Sequence, residues 1–298
     1  MNRVIVTGAN GFIGSTLVEK FITKGIDVIA IDISFEKSAL PQSERIIKIE
    51  SDLQNVDELL SMIPPKGYDA FYHLAWAGVN GNFKADPNTQ INNIAITMNC
   101  VKVASCIKCK KILCSGTIAE RSIDSLPYLS TISGGMVYGV AKQCTHLFLE
   151  TYCKILGIDF VWMQFSNIYG PTNKTGNLVS YTIEQIIKGE VATFGPALQP
   201  YDFIYIDDLI EAVVRLGLQE TKKNIYFIGS GQPRILKDYL CEIGEQCGKK
   251  ELIQVGVRPD DGIKYSFDMF DILPLKEEIG DYVSKTFSEG IKYTLERY

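Results

Sequence analysis

Residues 4–14 read Val-Ile-Val-Thr-Gly-Ala-Asn-Gly-Phe-Ile-Gly, which is an apolar run, a glycine turn and the start of an amphipathic helix. Gly8 permits the tight turn, Gly11 lets the backbone approach a pyrophosphate without a Cβ, and Gly14 lets the helix pack close to the strand. The N–H groups and the positive dipole end of the helix favour an anion at this turn. The stretch therefore predicts a dinucleotide-binding site on a parallel sheet.

Apolar runs alternate with helical patterns through the first two-thirds of the chain. The predicted strands are Val4–Thr7, Val28–Asp32, Ile46–Ile49, Ala70–Leu74, Lys111–Ser115 and Phe160–Gln164. The helices predicted between them are Phe12–Lys24, Asp57–Ile63, Thr89–Cys106 and Val137–Leu156. The strands are apolar throughout, as expected when both faces of a sheet are covered. The repeated strand–helix order predicts an α/β fold, a Rossmann-type doubly wound parallel sheet.

After Gly170-Pro171 the predicted loops are longer, and prolines recur between the predicted helices and strands. Further helices are predicted at Leu178–Lys188, Asp207–Gln219, Leu236–Cys247 and Ser284–Glu296. We expect residues 1–170 to form the NAD-binding Rossmann domain and residues 171–298 to form a smaller α/β substrate-binding lobe. Residues 201–228 are expected to return to the Rossmann domain.

Composition excludes several classes of protein. The 298 residues carry a net charge of −5 with acids and bases interspersed, so no basic face for nucleic acid is expected. No stretch approaches the ~18–20 apolar residues that span a bilayer, and no secretory signal is visible. Two His and eight Cys without metal-ligand spacing argue against a metal site. We therefore expect a cytoplasmic protein with reduced thiols, no metal and no membrane partner.

The ends of the next strands carry residues suited to the rest of a dinucleotide. Asp32 ends the second predicted strand about 18 residues after the glycine turn, where a carboxylate binds ribose hydroxyls and repels a 2′-phosphate. This favours NAD(H) over NADP(H), although a solvated strand-end acid is the alternative for Asp32 taken alone. Asp52 and Leu53 are placed to contact the adenine, and Leu74 and Ala75 can lie under the dinucleotide.

Tyr138 and Lys142 lie four residues apart at the start of a predicted helix, so they share one face. An ammonium near a phenol favours the phenolate, so we expect a lowered pKa for Tyr138. Such a tyrosine can exchange a proton with a carbonyl or an alcohol while hydride moves at the nicotinamide. A chance surface pair is the alternative, but Ser115 and Thr117 supply hydroxyls near the end of the fifth strand.

With these residues the chain resembles the extended short-chain dehydrogenases/reductases, specifically the NAD-dependent nucleotide-sugar epimerase, dehydratase and reductase family. The matching motifs follow the family's order: Thr7-Gly8-x-x-Gly11-x-x-Gly14, Asp32, Asp52-Leu53, His73-Leu74-Ala75, Asn93-x-x-x-Thr97, Ser115 to Thr117, Tyr138-x-x-x-Lys142, Asn167-Ile168-Tyr169-Gly170-Pro171, Asn177-Leu178, Tyr201 to Asp208 and Arg258-Pro259-Asp260-Asp261.

The resemblance implies roles for individual residues. Tyr138 is then the general acid/base and Lys142 its partner. Thr117 supplies the catalytic hydroxyl, because Glu120 resembles the glutamate of a Ser/Thr-x-x-Glu variant, and Ser115 becomes a cofactor neighbour. Further expected contacts to the cofactor are Phe12, Ile13, Trp76 and Asn93; for Trp76 a plain core aromatic is the alternative. Expected contacts to the substrate are Thr117, Asn167, Asn177, Leu178 and Arg258, with the Arg258 fork of donors on the diphosphate.

Three residues depart from the family pattern. Tyr201 and Gln164 stand where the family often has arginines, and Arg121 stands where it usually has an aromatic residue. We expect all three on the substrate side of the site. The resemblance also implies a homodimer formed through the helices Thr89–Cys106 and Val137–Leu156.

These observations favour an NAD(H)-linked oxidoreductase acting on a nucleotide-activated sugar. A 4-ketosugar reductase is preferred because the Thr117-x-x-Glu120 variant resembles that branch. A 4-epimerase with bound NAD is the alternative. The lack of an Asp-Glu pair after Thr117 weighs against a 4,6-dehydratase. A non-catalytic redox sensor is a further alternative. The presence of Tyr138, Lys142 and Thr117 together argues against it, because a sensor does not need these three residues. The sequence names neither the nucleotide, the sugar nor the pathway.

Overall fold

The computed structural model describes residues 1–128, 133–173, 176–260, 262 and 264–298. In chain order its strands are β1 (Arg3–Thr7), β2 (Asp27–Asp32), β3 (Ile46–Glu50), β4 (Ala70–His73), β5 (Lys111–Thr117), β6 (Asp159–Phe165), β7 (Asn167–Tyr169), β8 (Ala192–Thr193), β9 (Pro200–Tyr201), β10 (Phe203–Tyr205), β11 (Ile225–Ile228), β12 (Arg234–Ile235) and β13 (Ile253–Gln254).

The helices surround these strands. They are α1 (Phe12–Thr23), α2 (Val56–Met62), α3 (Pro87–Cys106), α4 (Gly135–Leu156), α5 (Leu178–Lys188), α6 (Ile206–Leu218), α7 (Leu236–Gln246), α8 (Leu273–Ile279) and α9 (Phe287–Leu295). Short 3₁₀ segments cover Asn82–Ala85, Ile118–Tyr128, Lys250–Leu252 and Phe267–Phe270. Within the described ranges, no helix combines the length and apolar character that crossing a bilayer requires.

Seven strands form one parallel sheet in the order β11-β6-β5-β4-β1-β2-β3. The chain builds β1 to β3 toward one edge, then returns to β4 beside β1 and continues toward the other edge. This order confirms the predicted doubly wound α/β sheet. The direction of winding reverses between β1 and β4, which is where open α/β sheets bind ligands.

Both faces of the sheet are buried, which explains why the strands are apolar without alternation. On β1, Val4 and Val6 pack into the cluster that holds Leu17 of α1. Ile5 points the other way and joins a second cluster with Val101 of α3. Successive side chains of a strand alternate between faces, so two covered faces demand apolar residues at every position.

The second half of the chain returns to this sheet. The strand β11 pairs with β6, and α6 packs against α1, where Lys20 and Glu211 form an ion pair at 3.0 Å. The division into residues 1–170 and 171–298 stays a prediction. The last helix starts three residues later than predicted, because the Thr286 side chain caps it and Glu289 completes a capping box.

Candidate active site

A cleft of about 1120 Å³ lies at the carboxyl ends of β1, β2, β4 and β5. It is lined by every residue that the sequence analysis named as a catalytic group or as a direct contact to the cofactor or the substrate: Gly8, Gly11, Phe12, Ile13, Gly14, Asp32, Asp52, Leu53, Leu74, Ala75, Trp76, Asn93, Ser115, Thr117, Tyr138, Lys142, Asn167, Asn177, Leu178 and Arg258. Residues far apart in the chain thus meet around one space. Their binding roles stay predictions, and their surroundings are described below.

The three glycines of the first turn each have a separate structural reason. Gly8 has a φ of +67°, and a Cβ there would lie 2.7 Å from the backbone nitrogen of Ala75. A Cβ on Gly14 would collide with the carbonyl oxygen of Gly8, so helix and turn can pack only without it. A Cβ on Gly11 would lie 3.3 Å from the same oxygen and narrow the cleft. The turn leaves the helix start open to a pyrophosphate.

An acidic group stands at the end of β2. The Asp32 carboxylate accepts hydrogen bonds from the backbone N–H groups of Asn10 and Ile33, both at 2.8 Å. These bonds fix its orientation, and a carboxylate has about four acceptor positions, so capacity remains for ribose hydroxyls. Nearby, Leu53 adopts a φ of +64°, a region that side-chain-bearing residues seldom occupy. The Asn99 amide holds the Leu53 carbonyl at 3.1 Å.

Two buried polar residues organise the strand end beneath the expected dinucleotide. His73 contacts the Thr7 hydroxyl through Nδ1 at 2.8 Å and the Thr97 hydroxyl through Nε2 at 3.0 Å. Burial lowers the pKa of His73 to about 3, so the imidazole is neutral and ties β1, β4 and α3 together. The Asn93 amide exchanges two hydrogen bonds with the backbone of Ala77, at 2.8 and 2.9 Å. Asn93 therefore holds the loop after β4.

The catalytic candidates face one another across the cleft. The buried Lys142 ammonium donates to the carbonyl oxygen of Ser115 at 2.6 Å and to its hydroxyl at 3.2 Å. The Thr117 hydroxyl lies near the Tyr138 phenol and opposes the rise that burial causes in the Tyr138 pKa. The Lys142 nitrogen is 5.9 Å from the centroid of the Tyr138 ring. A carbonyl or alcohol oxygen between Thr117 and Tyr138 would meet two hydroxyls at once.

The predicted lowering of the Tyr138 pKa is wrong for this structure. Burial raises the pKa of Tyr138 well above its ordinary value, and the Glu120 carboxylate adds to the rise, while the Thr117 hydroxyl opposes it. Burial also lowers the pKa of Lys142, whose ammonium is directed at Ser115 rather than at the phenol. The structure therefore favours the neutral phenol of Tyr138, which is a proton donor.

The sequence analysis missed two residues near the catalytic candidates: Gln90, which binds Trp76 from behind the cleft wall, and Lys84. Gln90 of α3 accepts the indole N–H of Trp76 at 2.9 Å and donates to the carbonyl of Gly78 at 3.0 Å. Lys84 lines the cleft, and its ammonium lies 5.2 Å from the centroid of the Tyr138 ring. For Gln90 the sequence offers only a weak signal, namely a polar residue within a predicted helix. Nothing local in the sequence distinguishes Lys84 from a surface lysine.

The expected diphosphate end of the cleft contains Arg258, whose side chain is exposed and firmly held. Its Nε donates to the Thr193 hydroxyl at 2.8 Å, and its Nη2 donates to the Tyr181 hydroxyl at 2.6 Å. The guanidinium also lies 5.1 Å from the centroid of the Tyr181 ring. Tyr181 lines the cleft but carried no sequence signal. Asp261, in the motif that begins at Arg258, lies outside the described residues.

The two asparagines expected to contact the substrate already have backbone partners. The Asn177 side chain caps α5 by accepting from the Ser180 N–H at 2.9 Å, and it donates to the Ile168 carbonyl at 2.8 Å. The Asn167 amide donates to the Asp202 carbonyl at 3.1 Å. Both asparagines line the cleft and shape its wall. The hydrogen-bonding groups that their backbone partners leave open remain available to a substrate.

Two of the three departures from the family pattern form a pair. The Arg121 Nε donates to the Gln164 Oε1 at 2.9 Å, and its Nη1 donates to the Met269 carbonyl at 2.6 Å. Neither Arg121 nor Gln164 is part of the cleft wall, so the expectation that both face the substrate is wrong. The two side chains satisfy each other's hydrogen-bonding groups behind the cleft wall. Tyr201 does line the cleft, as expected.

Comparison with known proteins places this geometry in context. The sequence profile of the NAD dependent epimerase/dehydratase family matches residues 4–229. The chain is 25% identical over 266 residues to a UDP-glucuronate 4-epimerase of Thermodesulfobacterium geofontis, covering 84% of this chain and 82% of the relative. It is 24% identical over 266 residues to a dTDP-4-dehydro-6-deoxyglucose reductase of Escherichia coli, covering 85% and 84%.

Solved structures share the fold across the whole chain. A UDP-N-acetylglucosamine 4-epimerase of Methanobrevibacter ruminantium, in complex with UDP-N-acetylmuramic acid, superposes with a TM-score of 0.81 at 22% identity, covering 100% of this chain and 99% of that one. A UDP-glucose 4-epimerase of Thermus thermophilus, in complex with NAD, gives 0.80 at 21% identity, covering 99% and 98%. The family match spans well over half of the sequence, and the chain therefore belongs to the NAD dependent epimerase/dehydratase family.

Proposed function

We propose that this chain uses NADH to reduce a nucleotide-activated 4-ketosugar. The observation that carries the proposal is the grouping of Tyr138, Thr117 and the buried Lys142 at one end of the cleft, with the Lys142 nitrogen 5.9 Å from the centroid of the Tyr138 ring. Reducing a ketone requires one hydride and one proton. A phenol that keeps its proton until an alkoxide forms suits the proton-donating half of this reaction.

The bound cofactor would supply the hydride, and the chain's own residues would do the rest. The amides at the start of α1 and the Asp32 carboxylate would hold the diphosphate and the adenosine ribose. The Thr117 hydroxyl would orient the substrate oxygen, and Tyr138 would donate its proton to that oxygen. Lys142, fixed by Ser115, would place its charge near the nicotinamide ribose.

A negatively charged diphosphate fits the far end of the cleft. Arg258 is the basic residue held there, and Tyr181 and Thr193 orient its guanidinium through two hydrogen bonds. A guanidinium that is oriented in advance loses less entropy when it binds a phosphate. Relatives named for UDP-sugar and dTDP-sugar substrates support a nucleoside diphosphate sugar as the substrate class.

The second candidate is a 4-epimerase with retained NAD. Several relatives and structural neighbours are named as 4-epimerases, and the same three residues can pass a proton in both directions. An epimerase would first remove a hydride from carbon 4 and then return it to the other face of a rotated ketosugar. It would need no external reductant.

We also propose that two copies associate through α3 and α4. Apolar side chains on the outer faces of this helix pair are exposed to solvent: Ile91, Val140, Leu147, Phe148 and Ile155. Exposed apolar residues concentrated on two adjacent helices are typical of a surface that is covered in an oligomer.

One experiment separates the two candidate activities. The purified protein is incubated with NADH and UDP- or dTDP-4-keto-6-deoxyglucose, prepared with a 4,6-dehydratase, while the NADH absorbance is followed. A parallel sample contains UDP-glucose, UDP-glucuronate or UDP-N-acetylglucosamine without NADH and is analysed by NMR. Consumption of one NADH per ketosugar supports the reductase. Formation of the 4-epimer without added NADH would replace it with the epimerase, and inactivity in both arms would remove both.

A further inference from the structure

Glu120 is a buried carboxylate directly behind the catalytic hydroxyl. Its side chain is 5% exposed. Its Oε1 accepts a hydrogen bond from the backbone N–H of Thr117 at 2.6 Å. Its Oε2 accepts from the indole N–H of Trp162 at 2.8 Å and from the Gln164 amide at 3.0 Å. Among the described residues its hydrogen-bonding partners are all donors, an arrangement that stabilises the charged carboxylate.

The backbone beside Thr117 is shaped around this carboxylate. A Cβ on Gly116 would lie 2.5 Å from the Trp162 Nε1 and 2.8 Å from the Glu120 Oε1. Any side chain at this position would therefore push Trp162 or Glu120 away from Thr117. Because Gly116 directly precedes Thr117, the close approach of Glu120 and the position of the catalytic hydroxyl depend on each other.

Glu120 and Lys142 lie near the same indole. The Lys142 ammonium is 5.8 Å from the centroid of the Trp162 ring, whose N–H donates to Glu120. The carboxylate stabilises the charged form of Lys142 and thereby opposes the effect of burial, which lowers the pKa of Lys142. Burial in turn raises the pKa of Glu120, against the pull of its three donors and of Lys142. Each charge thus compensates for the desolvation of the other.

Other titratable or charged groups surround this pair. On β4 the neutral His73 interacts with Lys142, and on β5 the buried Cys114 thiol does so. On the far side, Arg121 interacts with Glu120 and with Asp268 and Asp271. Further groups that face the pair are Tyr138 and His146 of α4; the His146 ring stacks on Trp162 at 5.6 Å, and burial lowers its pKa.

We propose, on the basis of the function proposed above, that Glu120 is a positioning residue with two tasks. It fixes the Thr117 backbone so that the hydroxyl meets the substrate oxygen, and it provides a buried negative charge at the indole of Trp162, which the Lys142 ammonium also approaches. It acts through these residues and does not line the cleft. The alternative is a purely structural carboxylate that satisfies the donors of Trp162 and Gln164.

Replacement of Glu120 by Gln and by Asp separates the two tasks. Glu120→Gln keeps the size and removes the charge. Glu120→Asp keeps the charge and shortens the reach to the Thr117 N–H. The matched control is Glu150→Gln, a half-exposed carboxylate on α4 that contacts Lys154 and His146 and lies outside the cleft.

The first readout is the titration of Lys142 by NMR of ¹⁵N-labelled lysine, assigned with Lys142→Arg. Losing the carboxylate removes stabilisation of the ammonium, so Glu120→Gln should lower the pKa of Lys142 by about one unit. Glu120→Asp and Glu150→Gln should leave the pKa within about 0.3 unit of the wild-type value. An unchanged titration in folded Glu120→Gln would overturn the charge task. If Glu120→Gln does not fold, the wild-type protein decides: a Glu120 carboxyl that stays protonated over the pH range in which Lys142 titrates, followed by NMR of ¹³C-labelled glutamate, would overturn the charge task.

The second readout is turnover of the substrate that the wild-type protein accepts. Glu120→Asp should lower kcat at least tenfold with little change in KM, because the Thr117 hydroxyl is displaced while the charge remains. In Glu120→Gln the alkaline limb of the pH profile should also move toward lower pH. A wild-type kcat in Glu120→Asp would overturn the positioning task. The lysine titration requires no substrate, so failure of the proposed function would leave its result interpretable.

Discussion

The Lys142 ammonium lies 3.6 Å from the centroid of the Trp76 ring, in direct contact with the indole face. Trp76 therefore covers Lys142 on the cleft side, while Ser115 binds the same nitrogen from the sheet side. The sequence analysis placed Trp76 near the cofactor but gave it no partner. The structure makes it the aromatic half of a cation–π pair.

Replacing Trp76 should therefore weaken catalysis through Lys142. A cation–π contact in a desolvated site contributes about 1–2 kcal/mol, so Trp76→Leu should lower kcat/KM about tenfold. Trp76→Phe keeps an aromatic face, so its kcat/KM should fall less than that of Trp76→Leu, although it also loses the hydrogen bond to Gln90. Steady-state kinetics of both variants check this. Equal losses in Trp76→Leu and Trp76→Phe would show that the aromatic face is unimportant.

Tyr138→Phe removes the phenolic hydroxyl and leaves the ring in place. If the phenol donates to the substrate oxygen, kcat should fall by roughly 10²- to 10⁴-fold while NADH still binds. The control is Tyr152→Phe on the same helix, a tyrosine outside the cleft, which should keep wild-type activity. Turnover rates and NADH fluorescence titrations measure the two effects separately. Undiminished turnover in Tyr138→Phe is the result that would refute its assignment.

The elements with a clear period were predicted closely, and the reason is visible in β1 and α1. Each of these elements buries a regular set of apolar residues, so its pattern can be seen without the partners. The helix α8 and the two- or three-residue strands such as β9 and β12 were not predicted. They are too short to show a period, and they exist because distant segments pair.

The residues of the candidate site also divide into those that the sequence predicts and those that only the packing of the whole fold brings to the cleft. Residues at the ends of parallel strands, such as Asp32 and Thr117, could be predicted because topology brings strand ends together. Tyr181 could not, because it reaches the cleft from a helix whose packing is a property of the whole fold. The direction of the Tyr138 pKa shift was also missed, since burial outweighs the neighbouring ammonium and depends on surrounding elements.

The Asp32 carboxylate should decide between the two nicotinamide cofactors. Its charge would repel the 2′-phosphate of NADPH, so Asp32→Asn should raise the affinity for NADPH relative to NADH by about tenfold. Asp27→Asn is the control, because Asp27 begins the same strand, pairs with Arg45 and lies outside the cleft. Fluorescence titration with each cofactor gives the ratio. Tighter binding of NADPH than of NADH to the wild-type protein would contradict the NAD(H) preference.

The last prediction concerns the exposed apolar side chains on α3 and α4. Phe148 is 51% exposed on α4, and a charge at this position would be buried in the proposed interface between two copies. Phe148→Glu should therefore shift the protein from dimer toward monomer, because burying an unpaired carboxylate costs several kcal/mol. Ile187→Glu is the control, since Ile187 is 58% exposed on α5, away from this surface. Sedimentation equilibrium at several concentrations measures the masses. A monomeric wild-type protein, or a dimer that withstands Phe148→Glu, would contradict the proposed interface.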